Sequence, residues 1–114
     1  APVDLDGLAF YTATLTDVAP DALRSMGDEL KNKGDNMVAV VAGVNGEKAN
    51  IVAVCGKDAI ARGVKAGDVV REIAKLAGGG GGGRPDSAMA GCKNVDKLPD
   101  AMAQAAALVR DMIQ

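Results

Sequence analysis

Stretches where β-favouring residues dominate give way to stretches where apolar residues recur every three or four, and the changes between them mark the elements. Residues 8–15 (Leu-Ala-Phe-Tyr-Thr-Ala-Thr-Leu) are rich in β-favouring types and lie between Gly7 and Asp17, which predicts a strand. Residues 20–33 predict a helix: Pro20 suits its first turn, Asp21 suits the positive end of its dipole, and Leu23, Met26 and Leu30 share a face. Gly34 is placed to end it. Two nearly continuous apolar runs follow, Met37–Val44 and Ala49–Cys55, separated by Asn45-Gly46-Glu47-Lys48. Asn-Gly between apolar runs signals a hairpin, because both residues tolerate positive φ. Runs without clean alternation predict strands covered on both faces.

Beyond Cys55 the period becomes helical. A short turn is expected from Lys57-Asp58 to Gly63, then a helix over Ala66–Ala77. Its apolar face is Ala66, Val69, Val70, Ile73, Ala74 and Ala77, and Asp68–Arg71 and Glu72–Lys75 are favourable i, i+3 pairs on the other side. Ser87–Ala90 predicts a brief strand after the glycine run. A last helix is expected from Leu98 to Ile113, with Pro99 and Asp100 in its first turn. Its middle, Ala101 to Val109, is apolar nearly all round, so it is either buried on two sides or docks outside the chain. The order is β-α-β-β-α-α-(β)-α, an α/β chain of the α+β type: a small mixed sheet with helices packed on it. Residues 1–114 read as a single globular domain, and the opening Ala1-Pro2-Val3-Asp4 reads as a fragment of a longer chain, although a processed start would look the same.

Composition narrows the chemistry. The apolar content is carried by Ala and Val, with one Phe, one Tyr and no Trp, which implies closely spaced layers. The absence of histidine removes the commonest general base and metal ligand. Ser25 and Ser87 are the only serines, and neither lies in a nucleophile-elbow pattern. No catalytic residue and no metal site is expected. Cys55 and Cys92 are too few and too far apart for zinc or a C-x-x-C redox pair, and a single disulfide between them is left open. A reduced, cytoplasmic setting fits this cysteine usage. No segment is long and apolar enough to span a membrane. The net charge of −2 argues mildly against nucleic acid, but residues 56–97 carry eight basic and five acidic groups, so the basic excess is local.

The six glycines Gly78–Gly83, followed by Arg84-Pro85-Asp86, have three readings. The first is a flexible linker, against which stand the missing serine and the structured flanks. The second is a nucleotide loop. No Gly-Lys-Ser/Thr follows and the run does not join a strand to a helix start, so both nucleotide fingerprints fit poorly. The third is a cradle for a phosphate or a nucleic-acid backbone. There Gly79, Gly81, Gly82 and Gly83 allow close approach, Arg84 offers a planar fork, and Asp86 accepts from a ribose hydroxyl, orients Arg84, or only serves the turn.

Gly78-Gly-Gly-Gly-Gly-Gly-Arg-Pro-Asp-Ser-Ala-Met-Ala-Gly91 resembles the glycine signature of the DHH-associated domain found at the C-terminus of bacterial-type alanyl-tRNA synthetases. There it typically reads Gly-Gly-Lys-Gly-Gly-Gly-Arg-Pro-Asp-x-Ala-x-Ala-Gly-Gly. Lys57-Asp58, Val64-Lys65-Ala66-Gly67 and Leu98-Pro99-x-Ala101 match that terminus too, and the likeness covers residues 36–114 well and 1–35 loosely. Two positions depart: Gly80 replaces the usual lysine, and Cys92 the last glycine. The resemblance implies a non-catalytic module that contacts the outer corner of tRNA, alanine tRNA in particular, and helps couple aminoacylation with editing. Its partners would be tRNA and the other domains of the synthetase chain, with a homodimer through the C-terminal region as a further partner. ATP, magnesium and zinc would belong to the rest of the enzyme. Lys57, Lys65 and Lys93 would add longer-range attraction to the glycine segment and Arg84. Phe10 and Tyr11 are the only aromatic stacking candidates. The same signature occurs in DHH-family phosphoesterases and exonucleases, where it holds substrate beside a metal domain. That is the alternative, together with an interaction module docking through the last helix.

Overall fold

In the computed structural model, which describes residues 3–113, the elements run as follows. β1 (Val3–Leu5) and β2 (Leu8–Thr16) lead into α1 (Pro20–Lys31), β3 (Met37–Asn45) and β4 (Lys48–Cys55). Then come α2 (Lys57–Ala61), α3 (Ala66–Leu76), β5 (Gly80–Gly83) and β6 (Ser87–Cys92). A 3-10 turn at Val95–Lys97 precedes α4 (Leu98–Ala103) and α5 (Ala105–Met112). The strands form one mixed sheet in the order β1-β2-β3-β4-β6-β5, in which β2 and β3 are parallel and every other pair antiparallel.

The apolar runs occupy the centre of this sheet, buried on both faces as their lack of alternation predicts. Val38, Val40 and Ala42 of β3 and Ile51, Ala53 and Cys55 of β4 face α3, α4 and α5. Met37, Ala39, Val41, Val52 and Val54 face the other way, toward Leu23 and Leu30 of α1. Gly27 of α1 lies so close to β4 that a Cβ there would stand 3.0 Å from a Val52 methyl, the tight spacing that an Ala/Val core requires. Phe10 is buried on the three-helix side, and Tyr11 is partly buried on the α1 side.

Four features differ from expectation. β1 joins the edge through an Asp6-Gly7 turn in which both residues have positive φ, 52° and 93°. That is the primed geometry favoured between twisted antiparallel strands. In the β3–β4 hairpin only Gly46 has positive φ (68°), because Asn45 still pairs with Lys48 in the ladder. The last helix divides at Gln104, the one polar residue of its middle, whose N–H donates to the Ala101 carbonyl at 3.1 Å. Leu98, Ala101, Ala105 and Val109 turn into the core while Ala103, Gln104, Ala107 and Arg110 are exposed, so this segment is covered on one side. The fourth difference is that the glycine run is a strand. No described helix is long and apolar enough to cross a membrane.

Candidate nucleic-acid interface

Glycine is a poor strand former, so β5 exists because of what it packs against. A Cβ on Gly79 would collide with the Gly91 carbonyl. One on Gly81 would stand 2.7 Å from Ala90 Cα, and one on Gly83 2.8 Å from Ala88 Cβ. The N-terminal turn of α3 presses on the same strand, with a Gly67 Cβ position 2.8 Å from the Gly83 carbonyl oxygen. Gly80 and Gly82 differ: nothing lies within 4 Å of a Cβ at either. The odd glycines are therefore required by close packing, and the even ones leave bare surface.

The hairpin bond from Arg84 N–H to the Ser87 carbonyl (3.1 Å) sets the hydrogen-bonding parity of β5. Gly80, Gly82 and Arg84 direct their main-chain groups to β6, so Gly81 and Gly83 direct theirs to the outer edge, where Gly67 of α3 lies against the main chain of Gly83. Ladder partners share a face, which places three rows across the α1 side of the sheet. Val54, Ser87 and Arg84 form one row, and Val52, Met89 and Gly82 the next. Gly43, Asn50, Gly91 and Gly80 form the third. α1 packs mainly over β3 and β4 and reaches Met89 of β6, so the β5 end of these rows is open.

At one end of this surface a groove is lined by Arg24 and Asp28 of α1, Gly82, Arg84, Ser87 and Met89. Asp86 stands beside it. Its Oδ2 accepts from Lys31 Nζ at 2.9 Å, and its Oδ1 lies 3.7 Å from Arg84 Nε. The bond from Lys31 holds the Asp86 carboxyl below the usual carboxylate range, with the Arg84 charge adding to the effect. At the other end a depression of about 880 Å³ is lined by Glu47, Lys48, Asn50, Gly80, Gly91 and Lys93, among others.

The structure thus separates residues that the sequence grouped. Arg84 and Asp86 sit at one end of β5, and Lys93 follows β6 at the other. Lys65 immediately precedes α3, whose Ala66 N–H donates to the Pro85 carbonyl, so Lys65 stands at the Arg84 end. Lys57 opens α2 at that end too, just beyond Cys55, whose N–H donates to the Asp86 carbonyl. Among the four glycines singled out, Gly79, Gly81 and Gly83 have packing roles and only Gly82 exposes bare face. Gly80 is open space that accommodates a side chain. Arg24, Lys31, Lys48 and Asn50 were missed. Parity along β4 puts Lys48 and Asn50 on one face, and only the pairing of β4 with β6 and of β6 with β5 sets that face beside the glycines. The α1 residues become visible only once the crossover places α1 on this side.

The cysteines do not pair. Both are free and buried on the three-helix face. Cys92 is opposite Ala49, six residues from Cys55 along β4, which is about 20 Å of strand. Burial, reinforced by the Asp86 charge, pushes the Cys55 thiol up to about 12, and burial raises that of Cys92. Cys92 is not among the described non-glycine residues with positive φ, which are Asp6 and Asp17, so replacing the usual glycine there costs no backbone strain.

A mixed sheet whose glycine edge strand is wedged between a helix start and its neighbour β6 defines a small α+β module with a bare glycine strand at one edge. The DHHA1 domain model matches residues 7–111, and the chain belongs to that family. It is similar to the alanine–tRNA ligase of Natranaerobius thermophilus, 42% identical over 96% of this chain and 12% of the ligase. The alanine–tRNA ligase of Bacillus thuringiensis strain Al Hakam is 46% identical over 87% of this chain and 11% of its own length. The chain therefore spans about an eighth of these relatives. The crystal structure of the C-Ala domain from Aquifex aeolicus alanyl-tRNA synthetase superposes with a TM-score of 0.83 at 31% identity, covering 99% of this chain and 97% of that one.

Proposed function

We propose that this domain grips tRNA through its sugar–phosphate backbone and performs no chemistry itself. The observation that carries this reading is the free edge of β5. The outward N–H group of Gly81 has no side chain beside it, Gly67 of α3 lies against the main chain of Gly83, and Arg84 ends the strand. A main-chain donor near a guanidinium suits phosphate oxygens, and the absence of Cβ atoms lets a ribose–phosphate chain approach. Lys57 and Lys65 at one end and Lys93 at the other supply longer-range attraction that offsets the net charge of −2. Asp86, held by Lys31, positions Arg84. Contacts of this kind read shape and 2′-hydroxyls more than sequence.

In a full-length synthetase the same grip would fall on the outer corner of the tRNA and help one bound molecule reach both the aminoacylation and the editing sites. ATP and magnesium would act in the remainder of that enzyme. Zinc would act there too. The names of the relatives favour this over a phosphoesterase module.

A gel shift with alanine tRNA and a DNA hairpin at two salt concentrations tests the reading. The wild-type domain is expected to bind tRNA more tightly than DNA and more weakly as salt rises. Arg84→Ala is expected to weaken binding and lower the salt slope by about 0.7–0.9. Absence of tRNA binding at low salt overturns the proposal.

A further inference from the structure

The Lys93 end of the glycine surface is chemically unlike the Arg84 end. In the row Gly43–Asn50–Gly91–Gly80, Asn50 contributes the only side chain beyond Cα. Leu23 of α1 covers Gly43, with its methyl carbons 3.3 and 3.4 Å from where a Cβ would stand, and the row is open beyond Asn50. The Asn50 Oδ1 lies 3.9 Å from the Cβ position of Gly91, so the amide hangs at the edge of a flat patch made of two glycine peptides. Asn50 is half-buried and makes no side-chain hydrogen bond among the described residues. An amide carries both donors and an acceptor, the pattern that pairs with the edge of a nucleobase. Lys48 and Lys93 stand on the rim, with Glu47 of the hairpin turn next to Lys48. The depression, about 880 Å³, falls within the range of small-molecule sites.

We infer that this depression takes one unstacked nucleobase of the bound RNA, laid flat on the Gly91–Gly80 surface with its edge toward the Asn50 amide and its flanking phosphates toward Lys48 and Lys93. The inference rests on the RNA-binding reading above and adds a base-dependent contact to it. Ordinary side chains at 80 or 91 would occupy the space, and an apolar residue at 50 would leave a base edge without a partner. A base splayed from a loop meets these requirements, whereas a base stacked in a duplex does not lie flat on a protein surface.

Two hexamers of equal charge separate this from backbone grip: oligoriboadenylate and an abasic ribose–phosphate chain. Binding is followed by amide chemical shifts, including the Asn50 side-chain NH₂, up to millimolar ligand. The wild type is expected to prefer the adenylate by about tenfold, the order of one good bidentate contact, with the Asn50 NH₂ signals moving only for that ligand. Asn50→Ala and Gly80→Lys are each expected to bring the two ligands within about twofold. Gly80→Lys fits without disturbing the fold because nothing lies within 4 Å of its Cβ position. Arg84→Ala should weaken both ligands alike and keep the preference. Equal wild-type binding of both hexamers, or a preference that survives Asn50→Ala or Gly80→Lys, overturns the base subsite and leaves the backbone reading standing. Failure to bind either hexamer while tRNA binds also overturns the subsite alone, and failure to bind tRNA overturns both.

Discussion

Six glycines in a row invite one explanation, yet neighbouring positions answer to different physics. Gly81 cannot take a methyl group because Ala90 Cα would stand 2.7 Å from it, and the neighbour is backbone that cannot rotate away. Gly81→Ala should therefore destabilise the domain by about 1–3 kcal/mol, the usual cost of forcing extra atoms into a packed contact. Gly82→Ala meets nothing and should stay within about 0.5 kcal/mol of wild type. Urea unfolding of the pair checks this, and equal losses would mean that both glycines serve the same purpose. The buried thiol of Cys55 gives a second residue-level expectation. Its value in the folded chain, about 12, exceeds that of an unfolded cysteine. The unfolded state therefore sheds its proton first as pH rises. The stability tied to the neutral thiol is complete below the unfolded value of about 8.5 and is lost progressively from there toward 12. Cys55→Ala should flatten the alkaline limb of the stability–pH curve. A limb unchanged by that substitution would place its cause elsewhere.

Elements whose stability is local were legible in the sequence. α1 announces itself through Pro20, Asp21 and the Leu23–Leu30 face, and β3 and β4 through apolar runs that only a doubly covered strand can bury. β1 was missed although the Asp6-Gly7 dipeptide carried the hairpin signal, because three residues give too short a pattern to register. β5 was beyond reach for a deeper reason: four glycines have no strand preference, and only the close approach of β6 and α3 orders them. The site followed the same division. Arg84 and Asp86 were named from the motif they belong to, while Lys31 enters through the crossover that brings the end of α1 beside the β5–β6 turn. That long-range contact makes its own prediction. Lys31 holds the Asp86 carboxyl below its ordinary value, so the associated stability is present above the unfolded value of about 3.9 and is lost as pH falls through the folded one. In Lys31→Ala the Asp86 titration, followed by carboxyl-carbon NMR, should move up toward the usual range. A titration that stays put would show that Lys31 is not what holds it down.

At the scale of the whole molecule the sheet has two exposed edges, and they offer a test of where RNA lies. Ala9 N–H donates to the Asn36 carbonyl at 2.8 Å and Asp17 N–H to that of Val44 at 2.7 Å, so the odd residues of β2 address β3 and the even ones face outward. β1 pairs only with Leu8–Phe10, which leaves the amides of Thr12, Thr14 and Thr16 without a strand partner among the described residues. On the far side the amide of Gly81 faces outward from β5 in the same way, whereas that of Gly83 faces the start of α3. Edge amides with no partner exchange with solvent by small local motions, whereas those of β3 and β4, paired on both sides, should exchange only through global opening. In the free domain both edges should therefore exchange quickly. Addition of tRNA should slow Gly81 and leave Thr12, Thr14 and Thr16 unchanged. The threonine edge is an internal control, since it presents the same main-chain groups but no bare glycine surface and no arginine at its end. Protection of both edges would indicate general shielding by a large polyanion. Protection of the threonines alone would move the RNA to the opposite side of the molecule. The selective pattern is expected because only at β5 do an outward main-chain donor, freedom from side chains and a neighbouring guanidinium coincide.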